Sequence, residues 1–126
     1  MTGPREAGSH WERVAEAYLW RHGLKTVRRN FHCRLGEIDL IMEDGECLVF
    51  TEVRFRRGSS HGNGAESVTR SKQARIIRTA RKYLQLRPHP IDQPCRFDVV
   101  SLGHDQGKLK VDWIRNAFTG DAPGQR

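Results

Sequence analysis

Apolar residues recur at helical spacing in Trp11, Val14, Ala15, Tyr18 and Leu19, behind Ser9 and Glu12 in a capping-box pattern and ahead of Gly23 as a stop. The spacing predicts a helix over 10–22. Two apolar runs, 37–42 and 48–55, flank Glu43-Asp44-Gly45-Glu46. Asp-Gly between such runs predicts an antiparallel hairpin. Residues 58–64, rich in glycine and containing His61, read as a flexible loop. Thr69 or Ser71 then caps a second helix whose apolar stripe is Ile76, Ile77, Ala80, Tyr83 and Leu84, ending near Arg87-Pro88. After a proline-containing connection, residues 95–102 and 108–114 alternate as strands about a glycine-flanked turn at 103–107. Helix, hairpin, helix, two strands is an α/β or α+β order, and a single domain with a mixed central sheet flanked by helices accommodates it. Residues 1–8 and 119–126 read as flexible tails around a domain at 9–118.

Composition narrows the function classes. With 126 residues, 37% of them hydrophobic, and a mean hydropathy of −0.70, the chain has the makings of one soluble domain. No apolar run reaches the roughly 18 residues of a membrane span, and the first residues lack the apolar core of a signal peptide. Cys33, Cys47 and Cys95 have neither disulfide nor zinc spacing, so a reducing cytoplasm is the expected compartment. Each reads as a small hydrophobe.

Charge points to a polyanionic partner. Lysine and arginine number 22 against 15 acids, a net charge of +7. Arg70, Lys72, Arg75, Arg78, Arg81, Lys82 and Arg87 occur with no acid among them. A solvated helix interleaves both signs, whereas an all-basic face fits a phosphate backbone. Arg54, Arg56 and Arg57 at the end of the second strand, and Arg28, Arg29 and Arg34 before the first, extend the positive rim. Zinc-finger and RNP patterns are missing, so backbone and shape recognition is expected rather than base reading. Trp11 and Trp113 fall on apolar stripes and read as core, with Trp20 partly exposed.

Inside that rim lie acids. If Asp44-Gly45 is the two-residue turn, opposed residues have numbers summing to 89. Glu37 then faces Glu52, and Asp39 lies diagonal to Glu52 at roughly 7 to 8 Å. Glu37, Asp39, Glu52 and Arg54 share one face with Ile41, Leu48 and Phe50. Such a carboxylate patch is either solvated or holds a cation, and Mg²⁺ or Mn²⁺ suits it because those ions take one or two carboxylates plus water and substrate phosphate. Phosphodiester hydrolysis is the chemistry this invites.

The residues Gly36-Glu-Ile-Asp-Leu-Ile, Leu48-Val-Phe-Thr-Glu-Val-Arg, Ser71-Lys72, Cys95-Arg-Phe-Asp-Val-Val and Asn116-Ala-Phe resemble the bacterial YraN family across nearly residues 8–118. That family resembles restriction-endonuclease-like nucleases and archaeal Holliday-junction resolvases, whose active site is a D…E-x-K motif on adjacent strands. The resemblance implies a nuclease-like fold acting on branched or structured DNA. It assigns Asp39 and Glu52 as metal-binding acids, Glu37 as an accessory carboxylate and Glu12 as the counterpart of a helical glutamate, although Glu12 also fits as the capping partner of Ser9. Arg54 stands where the motif has lysine, and arginine cannot shed a proton to act as a base. Either a metal-bound hydroxide attacks or Lys72 reaches in from the second helix. The alternative is a non-catalytic nucleic-acid-binding module on the same fold. Symmetric cleavage of a junction would need a homodimer.

Overall fold

The computed structural model describes residues 4–56, 68–87 and 92–120. The loop at 58–64 with His61, the proline-rich residues 88–91 and Arg57 lie outside them. The elements run α1 (Pro4–Arg21), β1 (Lys25–Cys33), β2 (Gly36–Asp44), β3 (Cys47–Arg56), α2 (Arg70–Gln85), β4 (Cys95–Asp105) and β5 (Lys108–Phe118). The strands form one mixed sheet in the order β1-β2-β3-β4-β5. All neighbours are antiparallel except β3 and β4, which are parallel. A parallel pair needs a long crossover, and α2 supplies it. The expected mixed α/β domain is what forms.

Each face of the sheet carries its own apolar cluster. α2 lays Ile76, Ile77 and Ala80 over Ile41, Leu48, Phe50 and Val99. α1 lays Ala15 and Leu19 over Leu40, Met42, Val49, Val100 and Leu102 on the other side. This is the period-2 alternation of β2 and β3 read in three dimensions. The helix over Ile41, Leu48 and Phe50 is α2.

Four local expectations are corrected. First, α1 begins at Pro4. Ser9 therefore lies inside the helix, and the capping box with Glu12 does not exist. Second, residues 25–33 form a strand that apolar alternation does not announce. β1 is an edge strand with Lys25, Arg28, Arg29 and Asn30 exposed, and charge on an edge guards it against pairing with other chains. Third, the hairpin loop is Gly45-Glu46: Asp44 pairs with Cys47, and Leu40 with Thr51. Gly45 takes φ +59°, the position where a two-residue loop needs glycine first. Fourth, Trp11 sits at the margin of the core: half-buried, it packs against the α1-side cluster and stacks on the exposed Phe55 with ring centroids 4.2 Å apart.

The Cys95-Arg-Phe-Asp and Asn116 segments meet at a buried clasp. Asp98 is fully buried. Its Oδ1 accepts from the Asn116 backbone N–H at 2.9 Å and its Oδ2 from Trp113 Nε1 at 2.9 Å. Arg96 bridges Asp98 at 3.0 Å and Asp44 at 3.0 Å. The clasp ties the end of β2 to β4 and β5. Replacing Asp98 by alanine takes one of its two carboxylate partners from Arg96 and leaves the Trp113 and Asn116 donors unpaired, so a loss of about 3 to 5 kcal/mol in urea unfolding is expected.

Candidate functional site

Register decides which acids meet. Because Asp44 pairs with Cys47, the hairpin is shifted by two residues from the expected alignment. A shift of two preserves which side chains share a face. Asp39 thus comes alongside Glu52 directly, while Glu37 pairs across to His32 of β1 instead of facing Glu52. The Val53 backbone N–H donates to Asp39 Oδ2 at 2.8 Å, in place of a ladder bond, where β2 and β3 part.

Asp39 and Glu52 are each 7% exposed. They sit in a cavity of about 550 Å³ lined by His32, Glu37, Lys72, Arg75 and Ile76 among others. Burial, a hydrogen bond to Glu52 and the charge of Glu52 push the Asp39 carboxyl up to about 9. Lys72 Nζ lies 2.7 Å from Glu52 Oε2, and Arg54 Nη1 lies 3.9 Å from the same oxygen. Glu52 Oε2 is buried without a hydrogen bond of acceptable geometry, so these contacts act through charge. Glu12 approaches from α1. Partial burial and the charges of Glu37 and Glu52 raise its pKa, and a hydrogen bond from Asn30 partly offsets them.

Among the described residues no three His, Cys, Asp or Glu side chains converge as a complete metal cage. The donor set nonetheless fits a hard divalent ion. Two adjacent carboxylates, one with a buried oxygen lacking an aligned donor, suffice for ions that keep several waters and take phosphate oxygens as further ligands. Glu37 lines the same cavity, whereas Glu12 lines a separate pocket with Arg13, Glu16 and Asn30 and feels Glu37 and Glu52 only through charge.

Burying the Asp39 carboxyl makes stability depend on pH. A carboxyl with pKa near 3.8 unfolded and about 9 folded binds a proton on folding. Stability therefore falls as pH rises through the window between those values. Asp39→Asn removes the cost, so in EDTA the variant should melt above the parent at pH 8, with the gap closing towards pH 4. Thermal melts across that range check it. A gap independent of pH would contradict the assignment.

The expected basic residues divide. Arg70, Arg75, Arg78, Arg81 and Lys82 are exposed along α2, and Arg75 also lines the cavity. Arg81 Nη2 donates to the Gly120 carbonyl at 3.4 Å. Arg56 is committed to Asp112 at 3.1 Å. Arg57 lies outside the described residues. Sequence reasoning missed His32 and Asn30, because it left β1 unassigned. It also missed the seat of the β1–β2 turn on α2: a Cβ on Gly36 would lie 2.9 Å from Thr79 Oγ1. Glu16, which nothing had singled out, is buried against α1's neighbours, accepting from Arg29 Nε at 3.0 Å and from Thr26 Oγ1.

Among the described residues no helix is long and apolar enough to cross a membrane, and the three cysteines are free. A family model described as "Uncharacterised protein family UPF0102" matches residues 11–102. A UPF0102 protein of Nitrosococcus oceani is 49% identical over 114 residues, covering 90% of this chain and 92% of that protein. Relatives from Nitrosospira multiformis (51% identical, 90% of this chain and 93% of theirs) and Aeromonas hydrophila (52%, 88% and 83%) carry the same description.

Proposed function

We propose that this chain, which belongs to the UPF0102 family, binds nucleic acid and acts as a metal-dependent endonuclease on branched or otherwise structured DNA. The observation that carries the reading is the burial of Asp39 beside Glu52 at the foot of a cavity walled by the basic helix α2. A carboxyl buried beside a second one is costly to ionise, as the raised Asp39 pKa shows: burial contributes most and Glu52 adds to it. Such a local cost is what a site retained for function looks like.

Asp39 and Glu52 would hold Mg²⁺ or Mn²⁺, which when bound supplies an acidified water and neutralises charge on the phosphate. The chain's own residues do the rest. Arg75 and Lys72 present positive charge at the cavity wall where a phosphodiester would lie. Arg54, a guanidinium where the motif has an amine, acts as a phosphate clamp and not as a base. Arg70, Arg78, Arg81 and Lys82 continue the backbone contact along α2, beyond the cavity. Glu37 adds negative charge in the cavity lining and Glu12 adds it through charge from a separate pocket, tightening the hold on a cation. Free cysteines suit a cytoplasmic setting. Two-fold symmetric cutting of a junction would take a second copy of the chain.

The second reading is a nucleic-acid-binding module without chemistry. Arg54 in the lysine position, together with the Lys72 contact on Glu52, favours it. Incubation with a labelled four-way junction, a flap, single strands and plain duplex, each with Mg²⁺, Mn²⁺ or EDTA, separates the two. The endonuclease reading expects metal-dependent cutting of the branched substrates. Retarded but uncut DNA under every condition would replace it with the binding module.

A further inference from the structure

We propose that Lys72 is the resident cation of the Asp39 and Glu52 pair, and that a divalent ion enters only by displacing its ammonium from Glu52. The inference rests on the reading of this pair as an ion site, and it explains how the pair survives without one. Glu52 is 7% exposed, and a carboxylate so buried is costly unless a positive charge stands beside it. Lys72 Nζ stands 2.7 Å away, with Arg54 at 3.9 Å as a weaker partner. Opposing them are Glu37 in the cavity lining and, through charge from a separate pocket, Glu12, and Arg75 adds to the positive side.

Two features say the ammonium is there for the site and is free to leave. Lys72 sits in the first turn of α2, its backbone N–H donating to the Thr69 cap at 3.2 Å, and that turn carries no acid. A cation at a helix N-terminus is opposed by the helix dipole. Nothing local favours lysine there, whereas Glu52 does. Second, the Lys72 side chain is 38% exposed and its contact with Glu52 lacks the alignment of a hydrogen bond. A four-carbon stem with one end in solvent can swing outward. A dication on Glu52 Oε2 and an ammonium 2.7 Å from the same oxygen repel each other at close range, and the burial of that oxygen weakens the screening between them. Displaced, the same ammonium is placed to meet a substrate phosphate at the cavity wall.

Thermal melts of the parent, Lys72→Met, Glu52→Gln and the double variant, in EDTA and across a Mn²⁺ titration, test this. Methionine keeps the stem and removes the charge. In EDTA, Lys72→Met should lower the melting temperature of the parent but not that of the Glu52→Gln protein, where no buried charge is left stranded. Mn²⁺ should reach half of its stabilising effect at a concentration at least tenfold lower in Lys72→Met than in the parent. Equal destabilisation in both backgrounds would overturn the proposal. So would a Mn²⁺ midpoint that is unchanged or higher, or no Mn²⁺ shift in either protein. Failure of the nuclease reading would look different: Mn²⁺ stabilising the protein through this pair while every DNA strand stays intact.

Discussion

Asp39→Ala should reduce metal-dependent cleavage of branched DNA by about 10³-fold or more, several kcal/mol of transition-state stabilisation, while leaving DNA affinity equal or tighter. The two effects separate for one reason. Asp39 stands 7% exposed beside Glu52 with its carboxyl pushed up to about 9, so it ionises for a cation inside the cavity and offers a phosphate nothing to bind. Alanine also orphans the Val53 N–H that Asp39 accepts. Asp39→Asn keeps that acceptor and should be as inactive as alanine while folding at least as stably in EDTA. Cleavage rates with both variants, alongside gel-shift affinities, check the split. If both variants cut at the parental rate, the acids are not the site.

Charge reversal along α2 should act on the other half of the function. Arg75→Glu, Arg78→Glu and Arg81→Glu together should weaken binding to any DNA by about a hundredfold or more at 0.1 M salt. The slope of log affinity against log salt should fall by about 2.7, the value for three lost phosphate contacts at 0.9 each. All three side chains are exposed, and none belongs to the apolar cluster under α2. The fold should therefore survive, as circular dichroism would show. Because the effect works through phosphates, junction, flap and duplex should lose affinity in similar proportion. An unchanged salt slope would mean that DNA lies on another face.

The physical reason the carboxylates could be read together from the sequence is that a strand's side-chain period is two. Any register error of two residues moves a pair along the strand without moving it off its face. Glu37, Asp39, Glu52 and Arg54 were thus placed on one side of the hairpin despite the misassigned turn. The error cost only the direct neighbour, Asp39 in place of Glu37. α2 was legible from its apolar stripe and the Thr69 cap, which the structure reproduces. β1 was not, because an exposed edge strand has no buried face and its arginines and asparagine carry no alternation. The first turns of α1 were hidden by a capping pattern at Ser9 that the chain does not use. The contact of Lys72 with Glu52 spans twenty positions and a crossover, so no local spacing announces it.

Whether Asp39 and Glu52 hold a divalent ion decides between nuclease and binding module. Anomalous diffraction from crystals grown with Mn²⁺ measures that directly. The expected result is a single Mn²⁺ peak between the carboxylates of Asp39 and Glu52, with the Lys72 ammonium drawn away from Glu52. Mn²⁺ bound only elsewhere, or no peak with Lys72 still seated on Glu52, would contradict it.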